Sequence, residues 1–428
     1  MNILLLSPSA CYHDLAQRLV KQNHNVFHIG AHRSLTKTDH YTPIARHMDS
    51  ADSRYFEVSE IPKQNIDMLA NYIVDKKIDF VMASALAMPS CQYAHDKLTD
   101  MKIPYFFVSP ENTILEKDKS VSKKLFNDLG IPTSKGRLID GEYLFKNFKT
   151  LPRPFVVKLN YLFHHGRQTM VVDNHNFEEV FSDLFSFLYK DAVKITNIKL
   201  DTSIVLEEYV NIKREYSYHM LVNESGWKFL GSARDYKRYL DNDLGFNCSS
   251  MGAYNNTTEV DPRVHEYADK IYQHLVKQNA GYKGFLFLGI AHDETDTPLI
   301  LEINTRSGDP ELPAILGSVT NDLGELFGTA SRGDTIPDVT HDDSKTVTIK
   351  LANRVYDWVN PASFLPKLNP VPEYITHGLE GFDPPFIKHS LFTTSDVTNE
   401  AASKKLYDYL DKQHVGQFRY RRDIGILK

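Results

Sequence analysis

The chain is 428 residues long, more than one ordinary hydrophobic core holds, so roughly two to four packed units are expected. A hydrophobic fraction of 42% and a charged fraction of 24%, with 24 Phe and 23 Tyr, describe a soluble globular protein and exclude a disordered one. A net charge of -6 with only short basic runs, such as Lys123-Lys124, excludes a broad nucleic-acid surface.

The N-terminus, MNILLLSPSACYH, has neither a charged leader nor a long apolar run, so it reads as a first β-strand and not as a signal peptide. No later stretch approaches the roughly 20 apolar residues that cross a bilayer. No membrane partner is expected, and the expected location is cytoplasmic. After the strand Ile3 to Leu6 come helical spacing over Asp14 to Gln22, a strand at Val26 to Ile29 and an amphipathic helix at Ile66 to Lys76. Strands at Phe80 to Ala83 and Tyr105 to Val108 follow. Short apolar runs separated by helices build a parallel sheet covered on both faces. Ser109-Pro110 closes this unit, and a helix over about Lys117 to Leu129 stops at Gly130-Ile131-Pro132.

From Pro154 the pattern becomes α+β. Strands are expected at Phe155 to Leu159, Gln168 to Val172, Ile204 to Tyr209, Glu215 to Val222 and Trp227 to Ser232. A helix follows from Pro262 to Gln278, then strands at Gly284 to His292 and Leu299 to Asn304. Beyond Gly333 come strands at Thr346 to Ala352 and Ile387 to Thr393 and a helix from Asn399 to Gln413. Cys11, Cys91 and Cys248 include no CxxC pair, which excludes a disulfide framework or a zinc site and leaves reduced thiols.

Four separated elements make a nucleotide site. Lys119 and Lys123 are i, i+4 on one helix, so both ammonium groups can point one way. Lys158 lies in the apolar strand PFVVKL, and with a lysine from another element it suits a phosphate clamp. VLEEYV, with Glu207, Glu208, Tyr209 and Val210, can offer backbone groups to an adenine edge, and Glu215 can hold ribose hydroxyls. LILEINTRSGDPELP puts Glu302 and Asn304 on one face of a strand, hard oxygen ligands suited to a magnesium ion that bridges phosphates. Arg306 and the turn Gly308-Asp309-Pro310-Glu311 follow and add a bidentate anion binder.

In this order the elements resemble the ATP-grasp fold, and within it the phosphoribosylamine–glycine ligase family. The resemblance rests on DKSVSKKLFNDLGIPTS, PFVVKL, SARDYKRYLDNDLGFNCSSMGAY, LEINTRSGDPE and YRRDIG. It implies an α/β and α+β chain. An N-terminal doubly wound domain spans 1–112 and an ATP-grasp domain 113–335, with a lid at about 134–195. A small C-terminal α+β domain spans 336–428. Position by position it implies Lys119, Lys158, Gly166, Glu207 to Val210 and Glu215 for ATP, and Glu302 with Asn304 for magnesium, manganese being the alternative ion. Arg306, Lys237 and Arg238 become catalytic residues, and His13, Asp235, Ser249, Ser250 and Asp309 become substrate contacts. The partners it implies are a small carboxylate and an amine, acting on a monomer or homodimer.

The chain departs from the family where phosphoribosylamine binds. Against the family's GNGGREHAL it has SPSACYHDL, residues 7–15, without the glycines a phosphate nest requires. Against GPExPLVAG it has ASALAMPSC, residues 83–91, and against the mobile loop DGLAAGKG it has NYLFHHGRQ, residues 160–168. The expected activity is therefore an ATP-dependent ligase joining an amino acid such as glycine to an amine other than phosphoribosylamine, with Tyr12, His13 and Ser84 as amine-side contacts. A genuine phosphoribosylamine–glycine ligase and a non-catalytic nucleotide-binding protein are the two other readings.

Overall fold

The first apolar run, β1 (Asn2–Leu6), pairs in parallel with β2 (Asn25–Ala31) and β4 (Phe80–Ala83). With β3 (Tyr41–Ala45) and β5 (Tyr105–Phe106) at the edges, the parallel sheet has the order β3-β2-β1-β4-β5. The structure, a computed structural model, describes residues 1–7, 9–31, 37–45, 63–84, 88–159, 169–185, 203–257, 260–278, 281–353, 369–380, 389–416 and 418–426. The helices α1 (Ala10–Lys21), α2 (Lys63–Asp75) and α3 (Met88–Asp100) accompany this sheet. Helix α1 begins earlier than its apolar spacing predicts because Ser9 caps it, the hydroxyl accepting the N–H of Cys11.

The single helix expected over 117–129 is two, α4 (Ile114–Lys117) and α5 (Lys119–Asp128). Asp118 breaks it: its backbone is extended (ψ 98) and its carboxylate accepts the N–H of Ser120, an N-cap that restarts the helix. Gly130, at φ 63, ends α5 as predicted.

An antiparallel four-stranded sheet comes next: β6 (Gly136–Ile139), β7 (Phe155–Leu159), β8 (Thr169–Val172) and β9 (Ile204–Glu208), in the order β6-β9-β7-β8. Helices α6 (Gly141–Asn147) and α7 (Phe177–Phe185) bury Leu144, Phe148 and Leu184 against Val157 and Leu206. The expected loop over ATP, Tyr161 to Gln168 with Gly166, lies outside the described residues.

The third sheet is larger. β10 (Arg214–Asn223) and β11 (Gly226–Asp235) lead into a hairpin of β12 (Arg238–Leu240) and β13 (Leu244–Asn247), then β14 (Gly252–Asn255). Helix α8 (Pro262–Gln278), β15 (Gly284–His292), β16 (Pro298–Asn304), α9 (Glu311–Leu316) and α10 (Leu323–Arg332) follow. The C-terminal elements are β17 (Lys345–Asn353), β18 (Thr376–Glu380), β19 (His389–Asp396), α11 (Asn399–Leu410) and β20 (Phe418–Arg419). Among the described residues the strand order is β16-β15-β10-β11-β14-β17-β19-β18, with β20 on β17. The C-terminal strands thus extend the central sheet, β17 pairing with β14 from Gly252↔Ile349 to Tyr254↔Val347. Glycine permits the approach, since a Cβ on Gly252 would stand 2.6 Å from the carbonyl oxygen of Thr348.

Two seams position the functional residues. Ile3, Leu5, Phe80 and Phe106 of the parallel sheet share a core with Leu221 and Leu230 of the large sheet and with Leu312 and Phe327 of α9 and α10. The four-stranded sheet is tied to β16 by hydrogen bonds from Ile300 N to Pro132 O (2.9 Å) and from Thr133 Oγ1 to Ile300 O (2.7 Å).

Candidate active site

The seam at β16 is the charged centre. Lys158 lies one residue from the end of β7, and its Nζ donates to the carbonyl of Leu301 at 3.0 Å, crossing from one sheet to the other. Lys119, at the start of α5, donates to the carbonyl of Leu159 at 3.3 Å, so both lysines gather at the end of β7. Glu302 and Asn304 project from one face of β16, as period-two spacing requires. Burial alone would raise the pKa of Glu302, but Lys237, Lys158, Lys119 and Arg306 outweigh it and bring it down to about 2. Asn304 is buried, and its Nδ2 has no hydrogen-bond partner.

Lys237, at the end of β11, lies 2.7 Å from Glu215 Oε1 and 3.9 Å from Glu302 Oε1. Burial works against its charge, but Glu215, Glu302 and Asp235 prevail and raise its pKa. Arg306 leaves β16 and donates Nε to Glu116 Oε1 at 2.7 Å, while the other Glu116 oxygen accepts the N–H of Thr305 at 3.0 Å. Its Nη2 is 3.4 Å from Asn304 Oδ1, and its guanidinium covers the Phe287 ring at 5.4 Å. The fork therefore stands fixed beside the Glu302–Asn304 face.

Glu207 sits differently from its sequence reading. Its carboxylate, and not only its backbone, carries structure: Lys123 is 2.6 Å from Oε1 and Lys158 is 2.9 Å from Oε2. Lys123 also donates to the Ser134 carbonyl at 2.6 Å, so it turns to this buried pair while Lys119 turns to β7. Glu208 and Tyr209 are exposed where β9 ends, with Val210 partly covered behind them.

On the acceptor side Asp309 takes a hydrogen bond from the Ser9 hydroxyl at 3.1 Å, and Lys350 on β17 lies 3.4 Å from its other oxygen. Lys350 also donates to the carbonyl of Ser249 at 2.9 Å. Ser250 adopts φ 74, a left-handed conformation that favours glycine. Its hydroxyl is bonded to both the N–H and the carbonyl of Gly252. Asp235 and Glu311 lie close by, and burial raises the pKa of each, with Glu215 adding to the rise at Asp235 and Asp235 to that at Glu311. His219, fully buried and pushed down to about 3 by burial and then by Arg306, is neutral; its Nε2 accepts the N–H of Gly308 at 3.2 Å.

Three expected contacts stand elsewhere. Tyr12 is core, donating its hydroxyl to the Ala83 carbonyl at 2.8 Å within the parallel-sheet cluster. His13 spends Nδ1 on the N–H of Leu379 and Nε2 on Gln17, each at 3.3 Å. Arg238 donates to the Gly245 carbonyl of its own hairpin at 2.8 Å. Ser84 is buried with its hydroxyl unpartnered. Sequence reasoning missed Glu116, His219, Glu311 and Lys350. Only Glu311 had a signal, its place in the Gly-Asp-Pro-Glu turn.

Among the described residues no three His, Cys, Asp or Glu side chains are set to hold a metal by themselves, and no helix is long and apolar enough to cross a membrane. Residues 117–312 match the family described as phosphoribosylglycinamide synthetase, ATP-grasp (A) domain. The phosphoribosylamine–glycine ligase of Thermotoga maritima is 27% identical over 326 residues, which are 73% of this chain and 78% of that one. A crystal structure of phosphoribosylamine–glycine ligase from Thermotoga maritima superposes with a TM-score of 0.74 at 22% identity, covering 99% of this chain and 100% of that chain. The biotin carboxylase domain of the Hydrogenobacter thermophilus 2-oxoglutarate carboxylase, solved with MgADP and bicarbonate, superposes at 0.68 and 13% identity, covering 98% and 91% of the two chains. The chain is an ATP-grasp ligase, and within that superfamily it resembles the phosphoribosylamine–glycine ligases.

Proposed function

We propose that the chain joins a small carboxylic acid, such as glycine, to an amine other than phosphoribosylamine. ATP phosphorylates the acid, and ADP and phosphate are released. The observation that carries the reading is the gathering of Lys119, Lys158, Lys237 and Arg306 around Glu302, beside Asn304, whose Nδ2 has no partner. A polyphosphate brings the negative charge that such a set of cations accepts, and phosphoryl transfer is mostly positioning plus electrostatic stabilisation. Glu302, held ionised, and Asn304 would hold a magnesium ion through their side-chain oxygens. When bound, that ion would neutralise charge on the transferring phosphoryl group.

The terminal phosphoryl passes to the carboxylate oxygen, giving an acyl phosphate and ADP. The amine nitrogen then bonds to the carbonyl carbon, phosphate leaves and the nitrogen loses a proton. Lys119 and Lys158 hold the phosphates, Arg306 and Lys237 face the charge that develops, and Glu215 with the end of β9 receives the nucleoside. In this reading residues 1–112 supply the amine side, 113–335 the nucleotide and metal side, and 336–428 close the sheet behind them.

The exclusion of phosphoribosylamine rests on the start of α1. A helix N-terminus attracts a phosphate, and here the chain's own Asp309 carboxylate reaches the capping Ser9, with Lys350 beside it. A phosphate monoester would meet a carboxylate there. A coupled ADP-release screen across amino acids and amines, with phosphoribosylamine generated in situ as one amine, tests both halves. ADP and phosphate are the expected products; AMP and pyrophosphate would refute the acyl-phosphate route. Robust glycine-dependent turnover on phosphoribosylamine, at about 10 per second, would refute the acceptor assignment alone.

A further inference from the structure

The C-terminal run YRRDIG, residues 420–425, takes none of the roles above, yet Arg421 is fully buried and the bulkiest such side chain among the described residues. A buried guanidinium requires its donors to be answered. Nε and Nη2 go to Asp423 at 2.8 and 2.6 Å, and Nη1 goes to Asp243 Oδ1 at 2.9 Å and to the carbonyl of Arg238 at 3.0 Å. The flat face lies 4.8 Å from the Tyr236 ring centre. The neighbouring backbone continues the pattern. Asp423 accepts the N–H of Asn242 at 2.8 Å, Asp241 accepts the N–H of Arg422 at 2.5 Å, and the Tyr236 hydroxyl accepts the N–H of Gly425 at 3.2 Å.

All of these partners outside the run lie between Tyr236 and Asp243, with Lys237 inside that span, while Asp411, Ser403 and Tyr407 anchor the rest of the run to α11 and the residue that follows it. The turn at the far end of the 236–243 span is unusual: Asn242 and Asp243 have φ of 58 and 53, two successive non-glycine residues in the left-handed region. The groups that the C-terminal run grips there are the N–H of Asn242 and the carboxylate of Asp243, so the turn is held in a conformation these residues would otherwise leave.

We infer that Arg421 and Asp423 form a clasp that fixes the 236–243 turn, which makes Arg421 the positioning residue that sets Lys237 against Glu215 and Glu302. The inference depends on the ligase reading only for what Lys237 does, not for the clasp itself.

Arg421→Lys keeps the charge and loses the fork, and Asp243→Asn keeps Arg421 and weakens its grip. The first readout needs no substrate: amide exchange over residues 236–252 is expected to rise in both variants by more than exchange elsewhere in the chain, with MgATP binding near wild type. The second is ADP release with whichever acid and amine pair the wild type turns over fastest. A loss in kcat on the order of 10²-fold is expected for Arg421→Lys, the size that follows from misplacing a reacting group by about 1 Å. Adding Asn242→Gly and Asp243→Gly to Arg421→Lys should restore part of that rate, because glycine holds the left-handed turn without a clasp. Wild-type exchange in both variants would overturn the clasp even if no substrate pair is found. A lost rate that the glycines do not restore, together with exchange raised equally across the chain, would overturn the positioning role and leave Arg421 a stability residue. If the wild type releases no ADP with any pair, the ligase reading fails and the exchange result still decides the clasp.

Discussion

Lys158 on β7 and Glu207 on β9 are diagonal neighbours on one face of the four-stranded sheet, with 2.9 Å between Nζ and Oε2. The same lysine reaches the Leu301 carbonyl on β16, so one buried ion pair ties a lysine of the proposed phosphate clamp to the strand proposed to hold the metal.

Replacing Glu207 with Gln should therefore cost stability before it costs chemistry. Lys123 and Lys158 would be left buried against a neutral amide, and removing one partner of a buried pair costs about 3–5 kcal/mol. Urea midpoints of mutant and wild type read the difference. Burial would raise the Glu207 pKa, but Lys158 and Lys123 prevail and lower it below its usual 4.5. A depressed carboxylate stabilises the fold above its unfolded pKa, and that contribution disappears as pH falls through the folded value. The mutant's stability should consequently vary less than wild type below about pH 4.5.

Glu302→Ala should abolish turnover in a protein that still folds. The residue is a hard oxygen donor on a strand whose apolar members, Ile300 and Ile303, are untouched. Circular dichroism should match wild type while magnesium-dependent ATP binding weakens. Near-normal activity in the purified mutant would remove Glu302 from the metal site.

Gly378→Ala should loosen the contact of β18 with α1. A Cβ there would stand 2.1 Å from the carbonyl oxygen of Ala10, which is backbone and cannot turn aside. Overpacking of this kind costs about 1–3 kcal/mol, seen as a lower melting temperature. The hydrogen bond from Leu379 N to His13 should then be lost, exposing that amide to exchange.

Long elements with clean periodicity were legible from sequence, others only in part. The ends of Phe155–Leu159, Pro262–Gln278 and Gly284–His292 coincide with the expected ones, because each is a long apolar run or an amphipathic stripe bounded by Gly or Pro. Strands β14 and β18 escaped notice: GAYN and THGLE are short, and tertiary pairing, not pattern, makes them strands. At the site, Glu302, Asn304 and Arg306 were readable because they are adjacent in sequence. The pairing of Glu116 with Arg306 spans 190 positions and that of Lys123 with Glu207 spans 84, distances that no local pattern encodes. Tyr12 lies in a stretch that departs from the resembling family, and nothing in that local pattern tells that its ring packs into the core of the parallel sheet.

The β14–β17 pairing has a practical consequence for anyone dividing this protein. The sequence invites a cut near residue 335, but there the ladder of backbone hydrogen bonds runs straight across the boundary. Severing it would leave β14 and β17 each with a bare row of donors and acceptors, the template on which sheets recruit other chains. A fragment ending at 335 should precipitate or dimerise through that edge, and adding residues 336–428 as a separate polypeptide should rescue it by strand complementation.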